Sequence, residues 1–309
     1  MEGFFCLSGF LITRTLLQRL SLGWVGIKEF AVNRLRRLMP VLILFLFFVS
    51  GLNLFFKRES SEIVLKSFVW SVLGFYNYFE VGQGRGLPFT SRIWSLSVED
   101  QYYMMVILCA TIIVFFNIKK PLRLFLKMYF MFLALSLGAR LWYTFCSESS
   151  LSHISYLTIP RLWGFALGGL TALAFNPEMK NYNSISWVGK INPLIWLCLA
   201  YLAMITVKRY EQQAFLLGWL FSPALIAAAI FAFNVKNPPN GKKRDAFLAR
   251  CVAQIGVACY PIYLFQMFEK IINLNLFWPL SFLFSVGLGL SIHFFFEKKF
   301  YRFPVYFKS

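Results

Sequence analysis

The sequence predicts an all-α fold: a polytopic integral membrane helical bundle of about nine spans, with one further segment that is re-entrant or interfacial. Three observations predict it. Hydrophobic residues make up 59% of the 309 residues and charged residues only 14%, where a soluble domain carries about 25% charged residues. The mean hydropathy is +0.63. The chain also holds 37 Phe, 9 Trp and 14 Tyr, more than a water-facing surface absorbs, so lipid must solvate most of it.

A spanning helix needs about 20 mostly apolar residues. Taken in order, the candidate spans are 3–20, 38–56, 94–116, 122–145, 156–175, 192–208, 214–234, 251–272 and 276–296. The stretch "VLKSFVWSVLGFYNYF" at 64–79 is interrupted by Lys66 and Asn77 and leaves through a glycine-rich exit. Loop charge decides its status. The net charge of +18 comes from 31 Lys and Arg against 13 Asp and Glu, and in a membrane protein such an excess marks cytoplasmic loops rather than a nucleic-acid partner.

Lys28, Arg34, Arg36 and Arg37 make the connection after the first span cytoplasmic. Three further basic clusters follow, around 117–121, across 235–250 and at the C-terminus. A crossing at 64–79 would put all three outside. A segment that only dips in keeps them cytoplasmic, and leaves the Lys- and Arg-free 146–155 loop outside. An odd number of spans with a cytoplasmic C-terminus then places Met1 on the outer face, which predicts a further helix upstream. With no repeat and no long soluble segment, residues 1–309 read as a single membrane domain.

The six cysteines include no CxxC pair, and the two histidines, His153 and His293, lie far apart. Neither a metal site nor a disulfide framework is expected.

Four stretches stand out from the apolar background. In "FFCLSGFLIT" (4–13), Ser8 and Gly9 are small enough for close helix packing. In "NRLRRLMP" (33–40), Arg34, Arg36 and Arg37 either anchor the loop or bind an anion, since the guanidinium fork suits phosphate oxygens. Pro40 there suits the first turn of a helix. In "RIWSLSVEDQYYMM" (92–105), Glu99 and Asp100 enter an apolar helix. Such acids pair or function, or they sit at a helix start capped by Ser95 or Ser97, with Trp94 and the tyrosines at the interface. In "IPRLWGFALGGLTAL" (159–173), Arg161 snorkels or contributes to a site, beside the close-packing Gly164, Gly168 and Gly169.

As an ordered set these stretches resemble the acyltransferase 3 family of membrane O-acyltransferases. "FFCLSGFLIT", "RLRRLMP" and "WSLSVEDQYY" are similar to its FFVLSGFLIT, Arg-rich and WSLSVEEQFY motifs. "RLWGFALGGLTAL", "CYPIYLFQMF" and "FFFEKKFYRF" are similar to its later Arg-and-glycine, SYPLYLxH and xxxEKPxRR segments. The likeness runs from the first residue almost to the last.

The resemblance implies transfer of an acyl group, acetyl by default, from cytoplasmic acyl-CoA to a hydroxyl of an extracytoplasmic glycan. O-antigen of lipopolysaccharide and capsular polysaccharide are typical acceptors, and a bacterial inner membrane is the expected location. Acetyl-CoA is then a donor substrate, with no bound cofactor and no nucleic acid. Arg34, Arg36 and Arg37 are expected to bind the donor. Ser8, Trp94, Ser97 and Arg161 would shape the site, and Glu99 is a possible catalytic group.

Three departures stand out. Gln266 and Cys259 replace the family's His and Ser in the SYPLYLxH segment, and Lys298 replaces the proline of EKP. The family's general-base histidine lies in a helix upstream of FFVLSG, so the resemblance implies that this sequence begins inside the second helix. The alternatives are a catalytically inactive relative that binds glycan or CoA or serves as a partner subunit, and a membrane transporter.

Overall fold

The computed structural model describes residues 2–83, 86–90, 92–145, 156–175, 186–209, 212–236, 254–266 and 278–300. No strand occurs among them. The helices are α1 (Glu2–Leu20), α2 (Gly23–Phe55), α3 (Ser61–Val72), α4 (Tyr76–Gln83), α5 (Ile93–Phe115), α6 (Pro121–Phe145), α7 (Thr158–Ala174), α8 (Ser186–Lys190), α9 (Pro193–Arg209), α10 (Gln212–Lys236), α11 (Cys259–Phe265) and α12 (Trp278–Ile292). After α12 the chain continues through a π-helical turn, His293–Glu297, into Lys298–Phe300.

Among the described residues, four helical stretches are long and apolar enough to cross a membrane: Gly23–Phe55, Ile93–Phe115, Pro121–Tyr143 and Leu280–Phe300. Their outward faces carry large apolar side chains such as Phe47, Phe115, Trp142 and Phe295. Water would penalise such a surface, whereas hydrocarbon solvates it. The protein is therefore an integral membrane protein with a helical fold. The expected spans at 3–20, 156–175, 192–208 and 214–234 coincide with helices α1, α7, α9 and α10. The expected span at 251–272 is described over 254–266, while His153, residues 237–250 and the C-terminal basic residues after Phe300 lie outside the described residues.

The 64–79 stretch forms no spanning helix. It breaks at Gly74, whose φ of 75° lies in the left-handed region that glycine enters freely. The resulting α3 has 12 residues, capped by Ser60 accepting from the Ile63 N–H, and α4 has 8. At 1.5 Å per residue, neither exceeds about 18 Å, short of the roughly 30 Å hydrocarbon core.

Two local expectations are corrected. Pro40 does not open a helix. It sits deep inside the 33-residue α2, where it removes the N–H that would have bonded the Arg36 carbonyl. Ser95 and Ser97 are not caps either, because α5 starts at Ile93. Ser95 instead bonds the Arg92 carbonyl at 2.9 Å and Ser97 accepts from the Tyr76 N–H at 3.1 Å.

The chain divides into two compact units. The first comprises Met1–Phe30 and Val98–Gly241. Here α1 lies along α7, which also packs on α6, and α10 packs on α9 and α1. The α1–α7 contact depends on small residues. A Cβ on Gly9 would strike the Phe165 carbonyl, and one on Gly168 would strike the backbone of Cys6 and Phe10. Helices approach this closely in membranes only where side chains are this small.

The second unit comprises Ala31–Ser97 and Lys242–Ser309. In it α11 and α12 cross at Gly289, where any Cβ would strike Ile262. Phe45 and Phe265 meet edge to face with centroids 5.2 Å apart. The segment after α4 is tied down through Tyr76, whose hydroxyl bonds Thr90 and accepts from the Leu87 N–H at 3.0 Å.

Candidate functional site

Both units contain buried polar groups among their described residues. In the first, Glu99 lies two turns into α5 and is 6% exposed. A bare carboxylate in an apolar bundle is costly, and burial demands partners. Ser8 of α1 donates to Glu99 Oε1 at 2.7 Å, and Tyr103, one turn further along α5, donates to the same oxygen. Ser8 thus lies on a packed face of α1 and also pairs with a buried carboxylate. Gly9, next to Ser8, faces α7 and lets α1 press against it.

A hydroxyl cluster lies on the neighbouring turns. Thr13 bonds its own Gly9 carbonyl at 2.6 Å and also bonds Tyr129, while the Tyr102 and Tyr129 hydroxyls are 3.2 Å apart. Tyr102 stacks on Phe165 at 4.2 Å. Trp94, Tyr102 and Tyr103, which one of the two readings of this stretch sets at the membrane interface, are all buried within the protein. Gln101 accepts from the Thr158 hydroxyl at the start of α7.

Arg161 does not snorkel. It is 4% exposed and forms an ion pair with Glu2 of α1. Gly164, one turn along α7, makes room, since a Cβ there would lie 3.2 Å from Glu2 Oε2. Arg140 of α6 is also fully buried, with its Nε donating to the Pro160 carbonyl at 2.7 Å. Sequence reading missed Arg140, because a single Arg near the end of an apolar run looks like an interfacial anchor.

In the second unit, Arg34, Arg36 and Arg37 lie on α2 rather than in a loop. At 100° per residue, Arg34 and Arg37 share a face while Arg36 turns away, and Arg36 is exposed. Arg37 donates through Nη2 to the Val257 carbonyl at 3.3 Å. Its Nε lies 3.6 Å from Glu297 Oε1. Glu297 is 1% exposed, and its other oxygen, Oε2, is 2.7 Å from His293 Nδ1. Trp94 is buried in this unit, and Ser97 secures the start of α4.

The π-helical turn that carries His293 and Glu297 is closed by the Lys298 N–H bonding the His293 carbonyl. Proline, which the resembled motif has at this position, could not make that bond. The departure at Lys298 therefore has a structural role. Among the described residues no group of His, Cys, Asp or Glu is arranged to hold a metal ion.

The chain belongs to the acyltransferase 3 family: the family model described as an acyltransferase domain matches residues 1–297. A Staphylococcus aureus (strain COL) protein provisionally named an O-acetyltransferase is 30% identical over 196 residues, covering 59% of this chain and 31% of that protein. The peptidoglycan O-acetyltransferase OatA of Listeria monocytogenes is 27% identical over 286 residues, covering 85% of this chain and 43% of its own length. An uncharacterised Haemophilus influenzae protein is 27% identical over 192 residues, covering 58% of this chain and 76% of that protein. The chain thus spans less than half the length of the named O-acetyltransferases it matches. No solved structure matches it.

Proposed function

We propose that the protein transfers an acyl group, acetyl by default, from cytoplasmic acyl-CoA to a hydroxyl of an extracytoplasmic glycan. The observation that carries this reading is the acyltransferase match across residues 1–297. The similarity to a protein named for peptidoglycan O-acetylation supports a cell-surface glycan as acceptor, with O-antigen and capsule as further candidates of the same chemistry. In the reaction the acceptor oxygen attacks the thioester carbonyl, a C–O bond forms, the C–S bond breaks and CoA leaves as the thiol.

The roles follow from charge and position. Arg34, Arg36 and Arg37 stand on the half of α2 that the loop charges assign to the cytoplasmic side, where they bind the phosphates of CoA. Glu99, with Ser8 and Tyr103 on one oxygen, polarises the site in the first unit. Arg161 and Glu2 brace the α1–α7 contact beside it. The protein resides in a bacterial inner membrane with its C-terminus in the cytoplasm.

The test supplies radiolabelled acetyl-CoA to membranes containing the protein and follows alkali-labile label on surface polysaccharide. Transfer that disappears in Arg36→Ala and Arg37→Ala, with membrane insertion intact, is the expected result. Unchanged transfer in both variants refutes the donor assignment, and no ester-linked label with the unaltered protein refutes the reaction.

A further inference from the structure

We infer that His293 and Glu297 are positioning residues for the donor site, holding the Arg37 guanidinium in the orientation that receives a CoA phosphate. The inference rests on the donor reading of Arg37 given above. Three observations carry it. Glu297 divides its two oxygens, Oε1 facing Arg37 Nε at 3.6 Å and Oε2 meeting His293 Nδ1 at 2.7 Å. Both members of the outer pair are almost wholly buried, at 2% and 1% side-chain exposure, whereas the Arg37 side chain is 23% exposed. The pair also sits on a π-helical turn, a geometry that recurs at functional sites.

The physical logic is that of a supported ligand-binding group. An arginine binds phosphate best when its planar fork is held before the ligand arrives, because less side-chain freedom is then lost on binding. Arg37 donates through Nη2 to the Val257 carbonyl, and its Nε faces Glu297 Oε1 at an ion-pair distance of 3.6 Å, beyond hydrogen-bond range. Glu297 would itself be free to rotate if only Arg37 held it. The His293 Nδ1–H bond to its second oxygen fixes the carboxylate plane, in the way that carboxylate–imidazole pairs orient groups elsewhere.

A buried ion pair that only stabilises the fold would leave donor recognition unchanged once the protein has inserted, and this separates the two roles. The test measures acetyl-CoA binding by calorimetry on the detergent-solubilised full chain, with acetyl-pantetheine, which lacks every phosphate, as the comparison ligand. Glu297→Gln and His293→Asn should each weaken acetyl-CoA binding by about tenfold. Neither should alter the weak binding of acetyl-pantetheine, and Glu297→Asp should recover part of the loss. In the Arg37→Ala background the Glu297→Gln change should cost nothing further, because the interaction it supports is already gone.

The failures are distinguishable. If Arg37→Ala binds acetyl-CoA as the unaltered protein does, or the unaltered protein does not bind it, the donor reading falls and this inference with it. If Arg37→Ala weakens binding while Glu297→Gln and His293→Asn do not, the donor reading stands and the positioning role is overturned. Additive losses in the double variant, or equal losses for acetyl-pantetheine, overturn it as well. Should Glu297→Gln fail to insert, His293→Asn carries the test, since it removes only the outer hydrogen bond.

Discussion

Glu2 and Arg161 illustrate how buried charge works at the scale of single residues. Neither is tolerable alone inside an apolar bundle, and each makes the other possible. Removing one partner leaves an uncompensated buried charge, so Arg161→Ala should lower stability by about 3–5 kcal/mol. The double change Glu2→Leu with Arg161→Met removes both charges and should recover most of that loss. Thermal unfolding in detergent reads both, and a double variant no better than the single one sinks the account.

Glu80, outside the spanning helices, behaves differently. It is 7% exposed, and burial pushes its carboxyl up to about 7. An acid whose folded pKa is raised favours folding while protonated. Its contribution is therefore fully present below the ordinary carboxylate range and lost as pH rises through about 7. The midpoint of thermal unfolding should fall between pH 5 and 8, and Glu80→Gln should flatten that fall. An unchanged pH slope in the variant excludes Glu80 as its source.

Between elements, the decisive feature is the closeness of α1 and α7. Gly9 and Gly168 allow their backbones to touch. Gly168→Ala places a methyl against backbone, which has nowhere to go, and should cost at least 1–3 kcal/mol, an overpacking cost of about that size. Gly138 on α6 is the control. A Cβ there meets nothing within 4 Å, so Gly138→Ala should be neutral or stabilising by up to about 1 kcal/mol. Equal effects of the two substitutions on folded yield and melting would remove the α1–α7 contact from the explanation.

The length of α2 belongs to this scale too. At 1.5 Å per residue its 33 residues reach about 50 Å, longer than a bilayer core. Its Arg-bearing half therefore extends beyond the hydrocarbon, and the charge run that looked like a loop is helical. Pattern reading placed the apolar half of α2 correctly but could not see that the polar half was also helical. Three arginines within four residues carry no apolar period to betray a helix.

Across the whole molecule, topology is the property to test. Cysteines introduced singly at positions 28 and 119 should react with membrane-impermeant reagents only from the cytoplasmic side. One at position 57, in the connection before α3, should react from the outside. Reaction of positions 28 and 119 from opposite sides would overturn the arrangement in which 64–79 does not cross.

Membrane residence, the helical class, the broken 64–79 segment and the family likeness were all legible along the chain. Hydropathy and charge accumulate residue by residue, and motifs are read in order, so none of these needs the fold. The pairings were not legible. Ser8 meets Glu99 across 91 positions and Glu2 meets Arg161 across 159, and no local signal links residues so far apart. His293 lay unassigned in an apolar run, and Glu297 stood only as the acid of the "EKK" segment. Only tertiary packing, by excluding water and forcing each buried charge to find a partner, decided which polar residues act together.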